Sequence, residues 1–174
     1  MILWIDSHLF KRILPDVRDR LGDKSKLFVA LGSVAGLILM VIGYRMADGP
    51  VYWNRSPMLA GINNLLMLIA IFLFIAGNMP SPVRRKIRHP QLAGTKTWAI
   101  AHLLVNGDLA SIILFGGLLA WAVVSVILIN RAEPHWVAPE PAGRKTYIRL
   151  AVITLVMLLV ITGIHALLGV NPFG

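Results

Sequence analysis

This chain of 174 residues offers few side chains on which chemistry could be built. It has no cysteine, which removes disulfides, thiolate metal sites and cysteine nucleophiles. Five histidines remain: His8, His89, His102, His135 and His165. Imidazole titrates near neutral pH, and its neutral form is the commonest protein metal ligand. No two histidines stand at i and i+4, and the c-type haem attachment pattern is absent, so no single stretch is a complete metal motif. Two histidines on different helices, however, can hold a haem iron between them inside a bundle. His8, His102 and His165 lie in or beside apolar runs and are candidates for that role. His135 falls in a proline-rich stretch and reads as solvated. His89 precedes Pro90 among Arg85, Lys86 and Arg88, and neighbouring cations favour its neutral, metal-binding form.

The densest polar information lies between Arg88 and Ser111, which includes Arg88-His89-Pro90-Gln91, Trp98-Ala99-Ile100-Ala101-His102 and Asn106-Gly107-Asp108. A polar side chain within a membrane is costly and faces the bundle interior, so His102 is a functional candidate. The plainer alternative is a histidine that hydrogen-bonds a neighbouring helix. Asn106-Gly107-Asp108 reads as a tight turn between antiparallel neighbours, with Asp108 capping the helix that follows and Ser111 three residues on.

The elements that must position these residues are set by hydropathy. Apolar residues make up 57% of the chain and charged residues 14%, with a mean hydropathy of +0.73. A soluble domain of this size could not hide so much apolar surface, whereas lipid accepts it. A spanning helix needs about 20 apolar residues. Leu27–Tyr44, Leu59–Met79, Leu109–Asn130 and Ile148–Gly169 meet that need. A shorter stretch, 90–106, carries Lys96 and His102 behind a helix-starting Pro90. A weak segment, 1–14, is interrupted by Asp6, His8, Lys11 and Arg12, and reads as a short spanning helix or an interfacial amphipathic one. No cleavable signal peptide is expected in Met1–Phe10. The expected architecture is therefore all-α: a polytopic bundle of five to six transmembrane helices in one membrane-embedded domain, 1–174.

Loop charge supports the crossing at 90–106. With it, segments 11–26, 80–96 and 131–149 share one face and hold every lysine and arginine except Arg45 and Arg55. Such a bias marks the cytoplasmic face, which leaves Asn171–Gly174 on the opposite side. The net charge of +9 then reads as a topology signal and a contact with anionic lipid headgroups, and no nucleic-acid partner is expected. Depth also sorts the histidines. His102 lies 12 residues beyond Pro90, about 18 Å along a helix, nearer the outer face, as is His165. His8 lies close to Lys11 at the basic face, so depth alone pairs His102 with His165.

The run RHPQLAGTKTWAIAHLLVNGDLASIILFGG resembles the signature of the NnrU family. So does LGDKSKLFVALGSVAGLILMVIGY at Leu21–Tyr44, and so does Ser7-His8-Leu9 followed by Leu14-Pro15 and Arg18. The family comprises small bacterial inner-membrane proteins linked with nitrite and nitric oxide reductases in denitrification, and it is related to the plant 15-cis-zeta-carotene isomerase, a haem-b membrane enzyme. The resemblance implies haem b held by His8 and His102, with His89 matching a further histidine of that enzyme. Depth offers His165 as the rival ligand. It also implies a membrane-protein partner of nitrogen-oxide respiration. The alternatives are a haem-dependent cis–trans isomerase of polyenes and a cofactor-free membrane scaffold.

Overall fold

The computed structural model describes residues 1–140 and 143–173. Among them it is all-helical, with no strand beyond one isolated bridge between Val51 and Asp108. The seven α-helices are α1 (Ile2–Ile13), α2 (Pro15–Leu21), α3 (Lys24–Met46), α4 (Pro57–Asn78), α5 (Pro90–Val105), α6 (Leu109–Ala132) and α7 (Arg144–Leu167), with a 3-10 turn at Pro82–Arg85. Of these, α3, α4, α6 and α7 are long and apolar enough to cross a membrane.

Helix starts follow local chemistry. Ser56 accepts a hydrogen bond from the Leu59 amide ahead of Pro57, and Asp108 accepts one from the Ser111 amide. Each relieves one of the unpaired amides at a helix start. Pro90 opens α5 at a position where a missing N–H is harmless. The spans expected at 27–44, 59–79, 90–106, 109–130 and 148–169 all fall on helices, with ends shifted by a few residues. In the proline-rich loop, Pro141 lies outside the described residues.

Five to six transmembrane helices were expected; the described residues form seven α-helices, of which four are long and apolar enough to cross, and the N-terminal third is more helical than hydropathy suggests. Pro15 lacks an amide hydrogen for the turn before it, so α1 ends at Ile13 and a second helix restarts at Pro15. The basic segment 11–26, expected as a loop, is thus mostly α2 and the first turn of α3. Gly22 (φ 53°) separates the two, in a conformation that glycine adopts without steric cost.

The weak first segment forms α1, which packs along α3 and α6 with most of its residues exposed or half-buried. With 12 residues, α1 is about 18 Å long, against a hydrocarbon core of about 30 Å. It runs antiparallel to α3, with Trp4 seated on Gly36 and Ser7 hydrogen-bonded to Ser33 at 2.9 Å. It runs parallel to α6, with Met1 against Gly117, Trp4 and His8 against Trp121, and Arg12 paired with Glu133. Met1 therefore lies at the mid-length of α6, and α1 fills only the half of the bundle nearer the basic loops.

Two sets of contacts close the ends of the bundle. At the basic end, Arg12 reaches Glu133 at 3.1 Å, Arg88 donates to the Glu133 carbonyl and His89 meets Asn130 at 2.9 Å. At the other end, the Tyr52 amide donates to the Gly107 carbonyl and the Leu109 amide to the Pro50 carbonyl. There Arg55 also donates to the carbonyls of Asn171 and Pro172. Successive long helices thus alternate in direction, and α5 travels from the basic end to the opposite one.

Helix α5 is enclosed between α4 and α6, and α7 packs on the far side of α4. The α4–α5 contact is unusually close: a Cβ on Gly94 would lie 2.8 Å from the Ala70 carbonyl oxygen and 2.9 Å from the Phe74 amide. Small residues at such crossings let backbones approach where no hydrophobic force drives association. By contrast, Leu27, Phe28, Leu31, Val34, Leu37 and Ile38 of α3 stand exposed and form a surface suited to lipid. Gly94→Ala forces one of these backbones to move, and we expect a loss of about 1–3 kcal/mol, seen as a lower melting temperature of the purified protein in detergent. Gly116 has open space around its Cβ position, so Gly116→Ala is expected to leave melting unchanged or raise it.

Candidate functional site: a set of anchored intramembrane histidines

Three histidines share one arrangement. The Nδ1 atoms of His8, His102 and His165 lie 2.8, 3.0 and 2.8 Å from the carbonyl oxygens of Trp4, Trp98 and Ile161, each four residues earlier. A helical carbonyl can only accept, so Nδ1 carries the proton and Nε2 keeps its lone pair. Metal-binding histidines are held in the same way, with one ring nitrogen fixed by a carbonyl and the other left to the metal.

Two of the three also share an aromatic setting. Trp4 stacks on His8 with ring centroids 3.7 Å apart, and Trp98 tilts against His102 at 5.0 Å. The spacing Trp-x-x-x-His is common to α1 and α5 and places both rings on one helix face. It was legible in the sequence, yet only the second copy stood out, inside the motif Trp98–His102. Each pair leans on a different aromatic residue of α6: His8 on Trp121 at 5.6 Å, and His102 on Phe115 at 4.6 Å. Trp121 and Phe115 are six residues apart, about 9 Å along the helix. The fold therefore sets His8 and His102 beside the same helix at different depths, each with its own aromatic neighbours.

His165 is the third member. It lies half-buried near the end of α7. Helix α4, which packs against both α5 and α7, contributes the Asn63–Asn64 pair, in which the Asn63 amide donates to Asn64 Oδ1 at 3.1 Å. Asn63 is buried, and its own Oδ1 has no partner. That burial depends on how α4 turns toward its neighbours, which hydropathy alone does not give.

His89 takes a different part. It stands at the start of α5, 13 residues before His102 and hence about 20 Å away along one helix, so one iron cannot take both. Its Nε2 meets Asn130 Oδ1. Asn Oδ1 accepts, so His89 donates there and joins the end of α6 to the start of α5. His135 is exposed in the loop after α6.

The turn at Asn106-Gly107-Asp108 lies next to these residues, at the end of the bundle opposite the basic loops. The Asn106 side chain donates to the His102 carbonyl at 2.8 Å. Asp108 accepts from both the amide and the hydroxyl of Ser111, at 2.8 and 2.6 Å. Because the Ser111 hydrogen is used there, the Tyr44 hydroxyl donates to Ser111 Oγ at 2.9 Å. This chain ties the end of α3 to the start of α6, and nothing in the spacing of Tyr44 and Ser111 foretold it.

As to a haem, the donor chemistry fits: three anchored imidazoles each offer Nε2, and aromatic rings line two of them. Neither of two open cavities along the described surface includes a histidine, and the described residues hold no cluster of three or more His, Cys or acidic groups around a metal-sized space.

The fold and this set of histidines define the class: an all-helical polytopic membrane protein with carbonyl-anchored imidazoles on its apolar helices. The family model described as NnrU protein matches residues 1–172, and the chain belongs to the NnrU family. No curated protein and no solved structure matches it.

Partial desolvation raises the affinity of the Asp108 carboxyl for a proton, but the hydrogen bonds from Ser111 outweigh it and hold the group below the ordinary carboxylate range. A depressed carboxylate pKa stabilises the fold at any pH above the unfolded value, and that share is lost as pH falls through the folded value. We expect Asp108→Ala to cost about 1–2 kcal/mol at neutral pH, as loss of a helix cap does. In melting curves the gap between wild type and variant should narrow below about pH 4.

Proposed function

We propose that this protein is a haem-associated protein of the bacterial inner membrane that supports nitrite and nitric oxide reduction in denitrifying cells. The observation that carries this reading is the common anchoring of His8, His102 and His165 through Nδ1, which presets Nε2 as a ligand atom. Family membership supports the physiological setting. The basic end faces the cytoplasm in this reading, in keeping with the positive-inside rule.

His102 is the ligand common to both pairings. The family resemblance assigns His8 as its partner. The competing partner is His165, favoured by depth: it and His102 both lie in the last turn of their helices, at the end opposite the basic loops. Bound haem would supply one-electron redox chemistry. The protein's own residues would supply the rest. Trp98, Phe115 and Trp121 exclude water, the carbonyls of Trp4, Trp98 and Ile161 orient the rings, and Asn106 fixes the helix end beside His102.

The test is the optical spectrum, oxidised and reduced, of protein purified from haem-supplied cells. The expected result is one haem b per chain, with His102→Ala losing or strongly shifting its bands. His8→Ala and His165→Ala tell the partners apart: the true axial ligand shifts the spectrum and the other leaves it intact. Protein without a stoichiometric absorbing cofactor would overturn the haem reading and leave a scaffold whose histidines serve packing.

A further inference from the structure

At the basic end, the close of α4 and the first turns of α7 frame an open notch of about 260 Å³. It lies apart from the intramembrane histidines. Asn78, Thr146 and Arg149 form its polar wall, and Met79, Pro80 and Ile153 its apolar wall. The two ion pairs among the described residues are Arg12–Glu133 and Lys26–Asp23, so Arg149 carries an uncompensated charge. Arg144 and Lys145 precede it by about one turn. No aspartate or glutamate occurs in α4, in the connection to α5, or in α7. The field in the notch is therefore positive and unopposed by any carboxylate on its own walls.

The order of the residues along the membrane normal matters as much as the charge. Thr146 and Arg149 lie in the first two turns of α7, at the level where the spans begin, and Ile153 lies one turn deeper. Met79 and Pro80 continue the apolar side from the end of α4. A polar, cationic rim above an apolar wall matches a molecule that is anionic at one end and greasy at the other. A guanidinium binds a phosphate through two parallel N–H donors, and basic pockets between helices at this depth select anionic headgroups.

We propose that this notch is a specific site for an anionic phospholipid. Arg149 and Thr146 hold the headgroup phosphate, and an acyl chain lies along Met79 and Ile153. The site is independent of the haem reading and would stand if that reading failed.

The experiment uses the full purified chain in neutral detergent and follows its melting temperature as phosphatidylglycerol, phosphatidylcholine or inorganic phosphate is added. Phosphatidylglycerol is expected to raise melting in wild type, and phosphatidylcholine and inorganic phosphate are not. In Arg149→Gln the half-saturating phosphatidylglycerol rises about tenfold, the loss that corresponds to one charge-assisted hydrogen bond. Lys24→Gln removes the same charge from α3 at the same end of the bundle and leaves the response as in wild type. If Arg149→Gln folds poorly, Arg149→Lys keeps the charge, loses the paired donors, and is expected to show a smaller weakening. Equal weakening by Lys24→Gln overturns the proposal in favour of a general surface field. An equal response to inorganic phosphate overturns it in favour of a soluble anion, and an equal response to phosphatidylcholine overturns it in favour of unspecific lipid packing.

Discussion

At Gly94 the backbones of α4 and α5 come so near that a single methyl group would strike the neighbouring main chain. The remaining architecture depends on this contact, because lipid would reject α5 as a free-standing helix. It carries Lys96 and His102 and ends in Asn106, and ionisable groups are expensive against hydrocarbon. Sandwiched between α4 and α6, it exposes little of that polarity. The price is a glycine in the middle of a helix, with its weaker helix propensity, and the return is a polar helix carried through the centre of the bundle.

Once α5 is held in this way, the other contacts acquire their places. His102 meets Phe115 on α6, and the turn at Asn106–Asp108 is hydrogen-bonded to the loop that follows α3. At the far end, His89, Arg88 and Arg12 gather on the last residues of α6. The interior between these two ends is apolar and aromatic, while the hydrogen bonds concentrate near the interfaces. That division follows from the solvent: hydrocarbon offers a polar group no partner, so most polar groups sit where water is close or bring their own acceptors, and among the described residues Asn63 Oδ1 and the Trp121 indole N–H are the buried exceptions. The three intramembrane histidines follow the second course, each using a carbonyl of its own helix.

Much of this was legible in the sequence, for reasons that can be named. Long helices register directly in hydropathy, and α5, whose hydropathy is weaker, was legible as a helix behind Pro90. The Asp108 cap was legible because its partner is three residues away. What escaped was long-range or depended on helix rotation. Tyr44 finds Ser111 across 67 positions, His89 finds Asn130 across 41, and the seating of Trp4 on Gly36 needs the α1–α3 packing to exist first. The packing of α1 was not legible because its contacts with α3 and α6 are long-range. The histidine pairing stayed open in the sequence and stays open in the fold: His8 stands beside α6 with His102, while His165 shares the end of the bundle with it.

The length of α5 carries a consequence for hydration. Its 16 residues cover about 24 Å, short of the hydrocarbon core by about 6 Å. The neighbours on either side are longer by six and eight residues, so the end of α5 must be covered by the connections around it. Opposite the basic loops the segment after α3 does this: the Tyr52 amide donates to the Gly107 carbonyl, and Trp53 packs against Gly107 while its indole donates to the Leu103 carbonyl. Gly107 is buried as a result, so an indole plug stands between solvent and the last turn of α5, where His102 lies.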